Sequence, residues 1–251
     1  MRHLNAPSAV SQEVDFENWE CHRIAITTHP CFLHSMPPQI AFHELKLMSA
    51  EQRSELLRRA EDDLEPFIEK VAPIVEAVRR EGDDALVRFA AEFDGAEIDA
   101  GSIAATDTDF EKAYDQLDPE FIEVLRYSAD NIRRFHQEQM PQPTWMMDIR
   151  PGVSVGERTT PVDSVACYSP RGKGSFPSVT LMTVIPAVVA GVPKIIVLTP
   201  PCPDGEIDPA TLVAADIAGL RKVYKAGGAQ AVAAAAYGTA TIPKCVQALK
   251  E

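Results

Sequence analysis

Residues 162–199 read VDSVACYSPRGKGSFPSVTLMTVIPAVVAGVPKIIVLT, and the order of patterns within them decides the fold. Val162 to Tyr168 is a short run rich in apolar and β-branched residues, bounded by Pro161 and a polar loop, and reads as a strand. An apolar helix is expected from about Ser178 to Ala190, with Gly191 as its natural end. Lys194 to Thr199 is a second strand, apolar at consecutive positions, as expected where both faces of a sheet are covered. The rhythm continues downstream. Asp208 and Pro209 supply the N-cap and first residue of another helix. Lys222 to Ala226 is a third strand, Gly227-Gly228 a tight turn, and Ala229 to Tyr237 a small-residue helix closed by Gly238. Strands and helices alternating at this spacing predict a parallel sheet with right-handed crossovers, half of a doubly wound architecture. The fold class is α/β: an incomplete Rossmann-like domain preceded by a helical region.

That helical region runs from Ser49 to about Met140. Ser49 and Gln52 form a capping-box signature ahead of Leu56, Leu57 and Ala60. Phe67, Val71, Ile74, Val75 and Val78 recur at helical spacing, and Gly82 supplies a stop. Asp83 or Asp84 is expected to cap a helix carrying Leu86, Phe89, Ala90 and Phe93, ended by Asp94-Gly95. A further helix starts at Pro119 behind Asp118 and carries Phe121, Leu125, Ala129, Ile132 and Phe135. His136 on that helix reads as a surface or capping residue. The domain limits that follow are 1–44, 45–145 and 146–251.

A net charge of −13 argues against a nucleic-acid partner, because phosphate binding needs a positive surface to displace counterions. The excess is local: residues 49–140 hold 24 acidic against 11 basic residues, which reads as a well-solvated helical surface. No apolar run reaches the ~18–20 residues that span a bilayer, and no signal segment is legible at the start, so neither a membrane partner nor export is expected. The expected location is the cytoplasm. Five scattered cysteines fit reduced thiols there.

Residues 1–44 carry five of the six histidines together with Cys21 and Cys31. Cys21, His22, His29, Cys31 and His34 are all ligand types, yet their spacing matches none of the usual zinc patterns. The segment is read as a variable or disordered leader.

In an open parallel sheet, ligands bind outside the carboxyl ends of the strands. Two loops take that position. Ser169 to Ser178 carries Arg171 and Lys173. Gly227-Gly228-Ala229-Gln230 opens a helix whose amides face an anion such as a pyrophosphate. There is no G-x-G-x-x-G fingerprint, and Gly172-Lys173-Gly174-Ser175 lacks the P-loop's first glycine, whose place is taken by Cys167. Taken alone, Tyr168 reads as a strand-end aromatic and Gln230 as a helix-capping amide.

The wording of several segments goes further. Pro151-Gly152-Val153, Pro161-Val162 with Val165 and Tyr168, Ala187 to Val192, GGAQA at 227–231 and Tyr237-Gly238-Thr239 with Ile242-Pro243-Lys244 resemble histidinol dehydrogenases in order and spacing. The earlier pieces Arg80 to Leu86 and Phe93 to Gly95 agree, so the resemblance covers about residues 45–244. It implies oxidation of an amino alcohol to the acid by two hydride transfers to NAD, with one zinc ion per site and a homodimer. It also implies that Tyr168 and Gln230 contact NAD.

Two departures stand out. The family's Pro-Gly-Gly after the tyrosine is replaced by Ser169-Pro170-Arg171-Gly172-Lys173-Gly174. The paired cations suit an anionic group, as in family members acting on other alcohols such as sulfonated diols, or they meet the NAD phosphates or solvent. The chain also diverges after Lys244. The family's third NAD contact, zinc ligands and acid–base pair would fall beyond Glu251, so no catalytic or metal residue is mapped here. The expectation is an N-terminal portion that is inactive alone, or else a non-catalytic module binding NAD or a partner protein.

Overall fold

A computed structural model describes residues 43–57, 64–172 and 174–245. The metal-ligand types at Cys21, His22, His29, Cys31 and His34, and nearly all of the expected leader, lie outside the described residues. The chain divides into two compact units, residues 1–59 and 60–251.

The first unit contributes helix α1 (Ala50–Leu57). Its capping box forms as expected: Gln52 N–H donates to Ser49 Oγ at 3.1 Å, and Ser49 N–H donates to Gln52 Oε1 at 2.9 Å. No residue of α1 is buried, so Leu56 and Leu57 are exposed rather than forming a core face.

The second unit opens with α2 (Glu65–Glu81) and α3 (Asp83–Phe89), separated only by Gly82 at φ 60°. The expected capping of α3 by Asp83 or Asp84 does not occur. Gly82 is the N-cap and no side chain caps the helix. Asp83 instead turns away and accepts a hydrogen bond from Thr241. A π-helical turn (Ala90–Asp94) then ends at Gly95 in the left-handed conformation, so the Asp94-Gly95 stop holds. Helix α4 (Asp107–Gln116) was not anticipated; a Thr106–Asp109 capping box starts it. Helix α5 (Pro119–Glu138) begins where expected, with Asp118 accepting from Glu120 N–H at 2.8 Å.

Strands β1 (Thr144–Arg150) and β2 (Val153–Arg158) form an antiparallel hairpin about Pro151-Gly152, also unanticipated. Then come β3 (Ser164–Tyr168), α6 (Pro177–Val189), β4 (Lys194–Thr199), α7 (Pro209–Ala218), β5 (Val223–Lys225) and α8 (Gly228–Tyr237). The strands pair in parallel in the order β3-β4-β5. β3 starts two residues later than expected, at Ser164, where its pairing with Lys194 begins.

Both faces of this sheet are covered, which explains the unbroken apolar run of β4. Cys167, Ile195, Val197 and Val223 pack with residues of α4, α5, α6 and α7. Ile196 and Leu198, alternating with them, pack with α2, α3 and α8. Helix α8 thus lies on the opposite face from α6 and α7. Fully burying each such side chain contributes about 1.5–3 kcal/mol.

The two edges of the sheet differ. Beyond β5, residues 103–105 close the ladder: Lys225 N–H donates to Ile103 C=O at 2.8 Å and Ala105 N–H to Val223 C=O at 2.9 Å. Beyond β3 no strand pairs among the described residues. A groove of about 590 Å³ runs along that edge, lined by Val162, Ser164, Ala166, Tyr168 and Val232 among others. After α8 the chain returns to the start of β3, where Ser164 Oγ donates to the carbonyl of Cys245.

Candidate functional site

The carboxyl ends of β3, β4 and β5 bring three loops together, and the N-terminus of α8 is the most built part of this region. Gly227 and Gly228 are each required, for different reasons. A Cβ at Gly227 would lie 2.8 Å from Pro200 Cγ, in the loop after β4. Gly228 sits at φ 54°, where L side chains are strained. The paired glycines therefore let α8 start tightly against the end of β4.

Tyr168, the last residue of β3, reaches this turn. Its hydroxyl accepts a hydrogen bond from Gly228 N–H at 3.1 Å. With 37% of its surface exposed, Tyr168 is not a core aromatic. The next amides, those of Ala229 and Gln230, have no acceptor among the described residues, while Ala231 N–H is bonded to Gly227 C=O. A helix start with open amides carries partial positive charge and suits an anion.

Gln230 is the second element. It is only 4% exposed, yet its carboxamide makes no hydrogen bond among the described residues, and it does not cap α8. Its Oε1 lies 2.9 Å from the position a Cβ would take on Gly228. A carboxamide with no protein partner, beside open main-chain donors, offers a ligand both a donor and an acceptor.

The loop after β3 is pinned at both ends. Ser169 N–H donates to Leu198 C=O at 2.9 Å, and its hydroxyl accepts from Thr180 on α6 at 2.9 Å. Ser175 Oγ donates to Asp208, the cap of α7, at 2.7 Å. Between these anchors stands Arg171, half-buried. Burial pushes the Asp94 carboxyl above its ordinary range, and the Arg171 charge opposes that shift. Burial likewise pushes the Cys202 thiol up, again opposed by Arg171. Arg171 is therefore close to both the end of the π-helical turn and the loop after β4. Lys173 lies outside the described residues.

Tyr168 and Gln230 meet at one helix start, with Arg171 at the same end of the sheet. Asp94, whose Oδ2 is buried with no partner, was missed by sequence reasoning; its only signal was the Phe93-Asp94-Gly95 stop. Among the described residues no group of three or more His, Cys, Asp or Glu side chains is placed to hold a metal ion. No helix among them is long and apolar enough to cross a membrane.

Comparison with known proteins adds the family. Residues 57–248 match the family described as Histidinol dehydrogenase. A "Histidinol dehydrogenase homolog" of Cereibacter sphaeroides is 56% identical over 205 residues, 81% of this chain and 46% of that protein. A "Histidinol dehydrogenase" of Methanosarcina barkeri is 43% identical over 203 residues, again 81% of this chain and 46% of that protein. The chain thus spans slightly less than half the length of these relatives. The crystal structure of histidinol dehydrogenase from Elizabethkingia anophelis superimposes with a TM-score of 0.68 at 33% identity, covering 75% of this chain and 42% of that one. With the GGAQ helix start, the strand-end tyrosine and this match over most of its length, the chain belongs to the histidinol dehydrogenase family.

Proposed function

We propose that this chain carries part of the NAD site of an enzyme that oxidises a small alcohol to the acid. The observation that carries the reading is the start of α8, where two open amides adjoin the unpaired carboxamide of Gln230. NAD, when bound, supplies the hydride acceptor. The chain's own residues supply the hold on it. The amides and dipole of α8 favour a pyrophosphate, Gln230 offers both a donor and an acceptor, and Tyr168 offers a ring and a hydroxyl.

The described residues do not fit a zinc site, since no set of three ligand side chains converges. In this reading the zinc ligands and the acid–base pair belong to the part of the relatives' length that this chain does not cover, and residues 1–251 alone do not turn over. The homodimer implied by the family is part of the same reading.

For the substrate, a histidinol-like amino alcohol is one candidate. An alcohol bearing an anionic group, such as a sulfonated diol, is favoured by Arg171 in the loop after β3. A non-catalytic NAD- or partner-binding module is the remaining reading. Titrating NAD into the chain, then adding histidinol or a sulfonated diol and following reduced nicotinamide by absorbance, tests the set. Binding without reduction is expected, and absence of binding contradicts the NAD reading.

A further inference from the structure

We propose that Tyr168 is a built-in plug of the helix start: its hydroxyl occupies the place of a ligand oxygen and must leave before an anion can bind. This rests on the reading of the α8 N-terminus as an anion site and adds what that reading lacks, a competitor within the chain.

An anion at a helix start accepts from the first free amides together, because they point the same way. In α8 these are the amides of Gly228, Ala229 and Gln230. The last two are open among the described residues, but Gly228 N–H is already donated to Tyr168 Oη at 3.1 Å. Two oxygens cannot occupy one position. An anion seated on all three amides therefore has to displace the hydroxyl, or bind on two amides with the third blocked.

An independent feature points to a ligand at the same place. Gln230 is 96% buried, carries no hydrogen bond from its carboxamide, and its Oε1 sits beside Gly228. Gln230 does not fill the site itself, because it makes no bond to the open amides. Tyr168 does fill part of it. Tyr168 is 37% exposed, and releasing Gly228 N–H requires its ring to turn outward. Once turned, the hydroxyl regains a donor that can meet the arriving ligand.

The consequence is the opposite of what a simple ligand contact predicts. Tyr168→Phe keeps the ring and removes only the hydroxyl, freeing Gly228 N–H. With inorganic pyrophosphate, a probe that reaches the amides and little else, we expect Tyr168→Phe to bind about two- to tenfold tighter than the unaltered chain, the span that one net hydrogen bond confers. Amide exchange at Gly228 provides a second readout. It is expected to be slower in the unaltered chain than in Tyr168→Phe, and pyrophosphate is expected to slow it in both. If the unaltered chain binds pyrophosphate and Tyr168→Phe binds equally or more weakly, the plug is wrong while the anion site stands. If neither protein binds pyrophosphate or NAD, the anion site fails and the plug with it. Matching thermal transitions in the two proteins confirm that the comparison is between folded chains.

Discussion

Thr241 Oγ1 donates a hydrogen bond of 2.7 Å to Asp83 Oδ2, joining residues 158 positions apart. Asp83 stands at the turn between α2 and α3, and Thr241 in the segment that leads from α8 back to β3. Gly82 is packed into the same junction, since a Cβ there would lie 3.9 Å from Thr239 Cβ. Two stretches that carry the family resemblance, Arg80 to Leu86 and Tyr237 to Lys244, are thus each other's neighbours. The contact joins the α2–α3 turn to the segment that follows α8, on the α8 face of the sheet.

Because Asp83 Oδ1 is already buried without a partner, losing the Thr241 hydroxyl leaves the whole carboxylate unpaired. Thr241→Val is expected to destabilise the chain by roughly 1–3 kcal/mol, the cost of stranding a buried acceptor. Urea unfolding measures this as a lower midpoint. An unchanged midpoint would show that the junction is held by packing alone.

Asp216 is expected to contribute to acid sensitivity. Burial alone would raise its carboxyl, but hydrogen bonds from Arg221 Nε at 2.6 Å and Tyr114 Oη at 2.8 Å outweigh burial and hold it below the ordinary value of 3.8. A carboxyl depressed in the folded state contributes stability that is fully present above its unfolded value and is lost as pH falls through its folded value. The unaltered chain should therefore lose melting temperature on acidification below about pH 4. Asp216→Asn should melt lower near neutrality and show a shallower fall in acid. Parallel pH profiles for the two proteins would contradict this.

Much of the sheet was legible because its signals are local. The apolar run of β4, the Asp208-Pro209 start of α7 and the Gly191 turn each depend on neighbours in sequence. The β1–β2 hairpin was not legible, since Trp145, Met146, Met147 and Ile149 are exposed and show no buried-face alternation. Helix α4 buries only Phe110 and Ala113, too few for a stripe, and its one clear signal was the Thr106–Asp109 box. At the site, the glycine pair and its open amides could be anticipated from GGAQ. The bond from Gly228 to Tyr168 could not, because it spans 60 residues and depends on strand order.

Self-association is expected of residues 1–251 taken as an isolated polypeptide. The outer edge of β3 pairs with no strand among the described residues, and an apolar groove lies beside it. Such an edge is a template for other chains. Light scattering should report species heavier than the 27.4 kDa monomer, and Val162→Lys, which puts a charge on the exposed groove wall, should shift them toward monomer. A monodisperse monomer of the unaltered chain would show that the edge is protected.

Calorimetry of NAD with the unaltered chain and with Gln230→Ala tests most directly whether the start of α8 is an NAD site. Gln230 is nearly buried, unpaired and not a cap, so its removal takes away ligand contacts without breaking any hydrogen bond of the free protein. Weak one-to-one binding to the unaltered chain is expected. Affinity is expected to be lower by about three- to tenfold in Gln230→Ala, the worth of one polar contact. Equal NAD affinity in the two proteins, or no binding to the unaltered chain, would contradict the NAD reading.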